Sequence, residues 1–412
     1  MATPPLAAPA GTAPRAVRKV RPAFIVQAGL VGSALAIYTL VLIQGGLHHQ
    51  DLDAYLAAGR AIIHGQPLYA PFLHHPFPDA TLRPAYIYPP VFALLVAPLG
   101  LLPDAAANVI WLLAGQAALA GALVVTLRWL RPSAAAAAAI LCATLTFYPL
   151  WIDAVQGQAN LLVLLLVVAG IAGVVQNKPT FGAALGVAAA LKLTPIVLLA
   201  WLLLERRIRA AAWMIGAFAA LTAAAALLRP DDTLVFFRQV LPALASGTAY
   251  YANQSLAGVV SRLFTQNPYT TPWVALGWAP LLPVAGAILL GAFWFWRMRR
   301  RAPMLRAVAF LPLLPLLSTV TWPHHLVILL PVFWMGAVAL AERDWPVAPT
   351  VGAVGLLAIF SVVDRWSVGP AFGQPGFRAA QTGDGLVFLL ANALFFGTLI
   401  LFGFAPWLLR SR

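Results

Sequence analysis

Apolar runs of about 16 to 24 residues recur along nearly the whole chain, close to the length a helix needs to cross a hydrocarbon core. They fall at residues 24–44, 105–127, 133–151, 159–176, 209–228, 273–296, 305–320, 325–341, 347–363 and 385–408. Two stretches break the pattern. Residues 89–102 are short, open on Pro89-Pro90 and are interrupted by Pro98. Residues 180–204 are interrupted by Lys192-Leu193-Thr194-Pro195 and carry cations at both ends. They read as two half-helices with Lys192 near the apex, in preference to one kinked span. Strand-length segments of alternating polarity are absent, which argues against a membrane barrel. The pattern predicts an all-α, polytopic integral membrane protein with about 10–12 transmembrane helices. Residues 1–22 read as a disordered basic cytoplasmic tail and residues 23–412 as one membrane domain. The first apolar run is too long for a signal-peptide core, so it reads as a retained anchor.

Behind the first run lies an outer loop, residues 45–88, in which the periodicity changes. Placed on a helix at 100° per residue, Leu52, Tyr55, Leu56, Gly59, Ile62 and Ile63 share one face, while Asp53, Arg60 and His64 share the opposite one. This predicts an amphipathic helix lying along the membrane interface. Asp51 borders its apolar face and can look into a cavity, whereas Asp53 points to solvent and toward Arg60. A helix N-cap without chemistry is the plainer role for Asp51.

Composition sharpens this picture. The chain is 62% hydrophobic and 9% charged, against about 25% charged in an ordinary soluble domain. Its net charge of +14 lies mostly in short clusters between apolar runs, so positive-inside topology explains it and nucleic-acid binding does not. Arg15, Arg18, Lys19 and Arg21 place the N-terminus in the cytoplasm, and Arg410 and Arg412 place the C-terminus there. Cys142 is the single cysteine and forms no intrachain disulfide. With this topology Asp51, Asp153, Gln156, Gln158, Asn160, Lys192, Asn253, Gln254, Arg262, His324 and His325 all fall at the outer side. That one-sidedness points to a site at the outer face of the cell membrane.

Several of these residues suggest chemistry. Only 12 residues are acidic, and Asp51 lies at a membrane surface, where a carboxylate must be solvated, paired or used. Lys192 lies within an apolar run and needs a counter-ion, for which an anionic phosphate is a natural partner; snorkelling is the plainer reading. His324 and His325 are adjacent, about 100° apart on a helix, and do not chelate one metal as an i,i+4 pair would, so no metal is expected. Amides suit sugar hydroxyls because they both donate and accept, which singles out Gln158, Asn160, Asn253 and Gln254. Tyr88 stands in the outer loop, where aromatic residues also serve as interfacial anchors.

The order of these motifs resembles a known family. Asp51-x-x-x-Tyr55 is followed by Gly65-Gln66-Pro67-Leu68-Tyr69, Tyr88-Pro89-Pro90, Gly157-Gln158-x-Asn160, Lys192-Leu193-Thr194-Pro195, Asn253-Gln254-Ser255 and Trp322-x-His324-His325. The series resembles glycosyltransferase family 87 of the GT-C superfamily, which includes polyprenol-phosphate-mannose-dependent alpha-mannosyltransferases of actinobacterial lipoglycan synthesis. The resemblance implies a GT-C-type fold and an outward-facing site. It implies inverting transfer of a hexose, mannose first, from a polyprenyl-monophosphate donor to a hydroxyl of a lipid-linked or glycan acceptor, with no cofactor. Asp51 would be the catalytic base. Lys192, His324, His325 and Arg262 would meet the donor phosphate, and Tyr55, Tyr88, Gln158, Asn160, Asn253 and Gln254 the sugar or acceptor. An arabinofuranose donor stays open. The rival reading is a secondary transporter or lipid-sugar flippase, which should carry its ionisable residues at the bilayer midplane and show an internal repeat. No clear repeat is present, and Asp51 is expected on an extramembrane helix.

Overall fold

A computed structural model describes residues 22–45, 49–74, 85–362 and 385–409. The N-terminal and C-terminal basic clusters, His48, His75 and Arg83 lie outside the described residues. Among the described residues every regular element is a helix. Five helices are long and apolar enough to cross a membrane: Ile25–Gly45, Asp104–Leu130, Ile208–Leu228, Leu281–Met298 and Pro323–Ala341. The pair Ala134–Leu145 and Tyr148–Gln156, bent by 51°, is a sixth candidate. The first helix turns Ile25, Leu30, Leu35, Leu40 and Ile43 outward, more than half of each exposed, as a lipid-facing surface requires.

The chain opens with α1 (Pro22–Gly45), then α2 (Gln50–Ile63), α3 (Ala70–His74), α4 (Pro90–Gly100) and α5 (Asp104–Leu130). Next come α6 (Ala134–Leu145), α7 (Tyr148–Gln156), α8 (Asn160–Val175) and α9 (Gly182–Leu191). The expected span 133–151 is thus two helices, and proline explains the break. Pro149 has no N–H to offer the Leu145 carbonyl, and the Trp151 indole N–H takes that oxygen at 2.6 Å instead. Prolines also reshape two later spans. The run 273–296 becomes helical only from Leu281, after Pro280, and 305–320 divides into Pro303–Phe310 and Leu313–Leu317 around Pro312. The break at Lys192 is present as expected: α9 ends at Leu191, Lys192 is extended (φ −145°, ψ 119°), and helical structure resumes at Thr194.

Helix α8 is apolar on every side and lies inside the bundle, with Leu161, Leu164, Val167, Val168 and Ile171 buried. It packs between α5 and α9. A second, smaller core forms where α2 lies on α4. Gly59 allows that approach: a Cβ there would sit 3.0 Å from the Val96 carbonyl oxygen. Leu52, Tyr55 and Leu56 are buried in this core while Asp53 and His64 are exposed, as the helical wheel requires, although Ile63 at the end of the same face is exposed. One pairing differs. Arg60 meets Asp104 and the Gly100 carbonyl of the next helices instead of Asp53, because α4 crosses the side of α2 that carries it.

Candidate active site

The site is assembled around the turn between α7 and α8. Gly157 closes α7 in the left-handed region (φ 70°), and a Cβ there would lie 2.6 Å from the His49 Cβ and 2.9 Å from the Leu52 Cβ. The turn therefore needs glycine both for its backbone and for contact with the start of α2. The His49 Nδ1 lies 3.0 Å from the Val155 carbonyl oxygen, and the Trp111 indole donates to the Gly157 carbonyl at 2.7 Å. These contacts dock the start of α2 and the Trp111 indole of α5 on the turn. Gly157→Ala is expected to lower stability by about 2–4 kcal/mol, from left-handed strain plus overpacking, read as a lowered melting midpoint in detergent.

Gln158 follows and faces three groups. Its Oε1 accepts from the Tyr55 and Tyr88 hydroxyls at 3.0 and 2.9 Å, and its Nε2 donates to Asp51 Oδ2 at 2.5 Å. Burial holds both phenols above their ordinary pKa, so they remain O–H donors. Two phenols on the amide oxygen turn its NH2 toward Asp51. Tyr55 packs edge-on against Tyr88, Phe92 and Trp111, with centroids 5.1, 4.8 and 5.9 Å away. The network is thus walled by aromatic rings.

Asp51 is half-buried in the first turn of α2. His49 occupies the N-cap position, so Asp51 is not the cap. Burial raises its pKa above the ordinary 3.8, while the Gln158 hydrogen bond and the Lys192 charge pull it back. The neutral form is favoured up to a pH above the usual carboxylate range, so a reaction needing ionised Asp51 loses rate as pH falls through that raised value. The acid limb of kcat/KM is expected above pH 3.8, and Asp51→Glu should move it; a pH–rate series measures both.

Lys192 is 8% exposed at the break after α9. Its Nζ donates to Asn160 Oδ1 at 2.6 Å, lies 3.5 Å from the Tyr88 hydroxyl and sits 5.3 Å from that ring's centroid. Asn160 Nδ2 donates to Asp153 Oδ1 at 2.7 Å, and Asp153 is wholly buried with Oδ2 unpartnered. A continuous polar chain therefore runs Asp51, Gln158, Tyr88, Lys192, Asn160, Asp153. Asp153 received no role from the sequence. Its signal was there: a carboxylate between two closely spaced apolar runs, like the lysine inside another, seeks a counter-charge.

Helix α7 also carries Gln156, whose Oε1 lies 2.7 Å from His324 Nδ1. His324 is buried with Nε2 unpartnered. The His325 Nδ1 accepts the Trp322 amide N–H at 3.3 Å and so caps its own turn, its ring 4.6 Å from that of His324. One helix of nine residues thus fixes the turn of the Asp51 network, the partner of Asn160 and the orientation of His324.

Arg262, Asn253 and Gln254 do not join this chain. Asn253 is wholly buried; its Nδ2 donates to Thr248 O and Thr319 O at 2.9 and 3.0 Å, and its Oδ1 accepts from Thr321 N and Ser255 N at 2.8 and 3.3 Å. Gln254 Nε2 donates to Tyr251 O and Ala391 O, and its Oε1 accepts from Phe395 N. Both amides are filled by protein groups here, so the expected contact with a sugar would require these bonds to open. Arg262 donates from Nη1 to Tyr250 O and from Nη2 to Asn253 O and Asn392 Oδ1 at 2.9, 2.8 and 2.5 Å, so both Nη atoms are held by the scaffold, while its buried Nε has no partner among the described residues. Among the described residues, no three of His, Cys, Asp and Glu gather as a metal site.

Comparison with known proteins agrees with the motif order. The sequence profile of glycosyltransferase family 87 matches residues 86–323. A polyprenol-phosphate-mannose-dependent alpha-(1-2)-phosphatidylinositol pentamannoside mannosyltransferase of Mycobacterium tuberculosis is 29% identical over 407 residues, 94% of this chain and 89% of that protein. A polyprenol-phosphate-mannose-dependent alpha-(1-2)-phosphatidylinositol mannoside mannosyltransferase of Mycolicibacterium smegmatis is 30% identical over 342 residues, 74% of each chain. The structure of ArnT from Cupriavidus metallidurans bound to undecaprenyl phosphate superposes with a TM-score of 0.44 at 18% identity, over 92% of this chain and 78% of that one. On the strength of the profile and these relatives, the chain belongs to glycosyltransferase family 87 and is a polytopic membrane glycosyltransferase.

Proposed function

We propose that this protein transfers mannose from a polyprenyl-monophosphate donor to a hydroxyl of a mannosylated or other lipid-linked acceptor, with inversion, at the outer face of the cell membrane. The observation that carries the reading is the polar chain joining the Asp51 carboxylate to the Lys192 ammonium through Gln158 and Tyr88. A base and an anion-stabilising cation are the two groups that glycosyl transfer from a phosphate requires. Relatives named for polyprenol-phosphate-mannose supply the donor class and the sugar. The clusters Arg128 and Arg131, Arg206, Arg207 and Arg209, and Arg297 through Arg301 support a cytoplasmic face opposite the site, with both termini on it.

In this mechanism the acceptor oxygen attacks the anomeric carbon while its proton passes to Asp51. The bond from the anomeric carbon to the phosphate oxygen breaks, and its electron pair leaves with the polyprenyl phosphate. Charge grows on that phosphate as the bond lengthens. Lys192, fixed by Asn160 and Tyr88, stands to receive it, and so does His324 as the imidazolium, with its Nδ1–H on Gln156 Oε1 and its Nε2–H left for the phosphate. Gln158 holds Asp51 with one oxygen committed, leaving the other for the acceptor proton. Tyr55, Tyr88 and Asn160 act by holding Gln158 and Lys192, and their contact with sugar would follow from opening of that network.

Transfer by purified protein in detergent, where transport has no meaning, tests the reading. Glycosylated acceptor of inverted anomeric configuration is expected from polyprenyl-phosphate mannose. No product from any polyprenyl-phosphate sugar, with movement of lipid-linked sugar across reconstituted vesicles, would establish the flippase in its place.

A further inference from the structure

The motif Asn253-Gln254-Ser255 lies outside the polar chain, yet it grips the segment that leads into His324. Residues 318–322 link the helix Leu313–Leu317 to the turn that begins at Pro323, with Ser318 and Trp322 in extended conformation at its two ends. Within this link, the Thr319 carbonyl and both backbone groups of Thr321 are met by the motif. Thr319 O accepts from Asn253 Nδ2 at 3.0 Å and Ser255 Oγ at 3.3 Å. Thr321 N donates to Asn253 Oδ1 at 2.8 Å, and Thr321 O accepts from Gln254 N at 2.6 Å. Asn253, Ser255 and Thr321 are all wholly buried. Arg262 completes the arrangement by holding the Asn253 carbonyl at 2.8 Å.

We propose that Asn253, with Ser255, is a positioning residue for the transfer reaction: it clamps residues 319–321 and thereby sets where His324 stands. The inference rests on the reading that His324 meets the donor phosphate. The clamp ends three residues before His324, and the intervening Pro323 leaves few torsions between them. A rotation at Thr321 or Trp322 would swing the ring away from Gln156. Misplacing a reacting group by about 1 Å costs up to about 10²-fold in rate. Gln254 divides the motif. Its backbone N–H belongs to the clamp, but its side chain reaches the other way, to Ala391 and Phe395. That gives a control of similar bonding on the far side of the same knot.

The test is a double-mutant cycle on kcat and KM with polyprenyl-phosphate mannose as donor. Asn253→Ala is expected to lower kcat about 10- to 100-fold with donor KM within about threefold. In the His324→Ala background the same change should lower kcat by less than about threefold, because the group it positions is gone. Gln254→Ala should lower the melting midpoint yet keep kcat within about twofold. If Asn253→Ala does not fold, Ser255→Ala, which loses only the Thr319 contact and a helix cap, takes its place with a smaller His324-dependent loss. Equal losses with and without His324, or an equal loss in Gln254→Ala, would overturn the clamp. A His324→Ala enzyme of wild-type kcat would remove the donor role of His324 instead, and the clamp's purpose with it.

Discussion

Asp51→Asn is expected to lower kcat by about 10²–10⁴-fold, the contribution of a positioned general base, while donor affinity stays near wild type. Asparagine has the same shape and still offers an oxygen to Gln158 Nε2, so the network of Tyr55, Tyr88 and Gln158 keeps its geometry. What is lost is the proton acceptor. Linkage gives the variant a second signature. The folded pKa of Asp51 is raised by burial, so its contribution to stability is full below the ordinary 3.8 and is lost as pH rises through the folded value. At neutral pH the ionised group opposes folding, and Asp51→Asn should melt no lower than wild type. Asp53→Asn, on the exposed face of the same helix, should leave turnover unchanged. Steady-state rates, donor binding and melting curves on the three proteins check each statement.

Lys192→Met is expected to lower kcat about 10²–10³-fold, the usual loss when one group stabilising a developing anion is removed, and also to weaken donor binding. It should destabilise the fold by about 3 kcal/mol, because removing one member of a buried charged set leaves the other unbalanced. Asp153 is that other member, reached through Asn160. Combining Lys192→Met with Asp153→Asn should therefore recover melting temperature without recovering turnover. Recovery of both would assign Lys192 to the scaffold alone.

The parts of this arrangement legible in sequence were those set by local periodicity. The wheel of residues 51–63 separated Asp51 from Asp53, and the structure buries one edge and exposes the other. A lysine followed by Thr194-Pro195 marked the break in the second irregular run, and the backbone leaves the helix there. What remained hidden depends on contacts across the fold. Asp153 and Asn160 are seven residues apart and meet only because Gly157 reverses the chain between them. That Gln156 meets His324 while His325 caps its own turn depends on the register of a short turn against α7. The backbone bonds of Asn253 and Gln254 were not legible because an amide has the same donors and acceptors whether it meets a hydroxyl or a backbone group. Spans broken by proline were read too long or too simply, since hydropathy does not register the missing N–H of Pro149.

The most direct test of the central claim is a choice of donor. Purified wild-type protein in detergent is given a hydroxyl acceptor with either polyprenyl-phosphate mannose or a nucleotide-linked mannose, and glycosylated acceptor and released carrier are measured together. The account predicts product only from the lipid-linked sugar, with one polyprenyl phosphate released per mannose transferred and almost none from Asp51→Asn. Product from the nucleotide sugar with the lipid donor inert, or full transfer by Asp51→Asn, would contradict it.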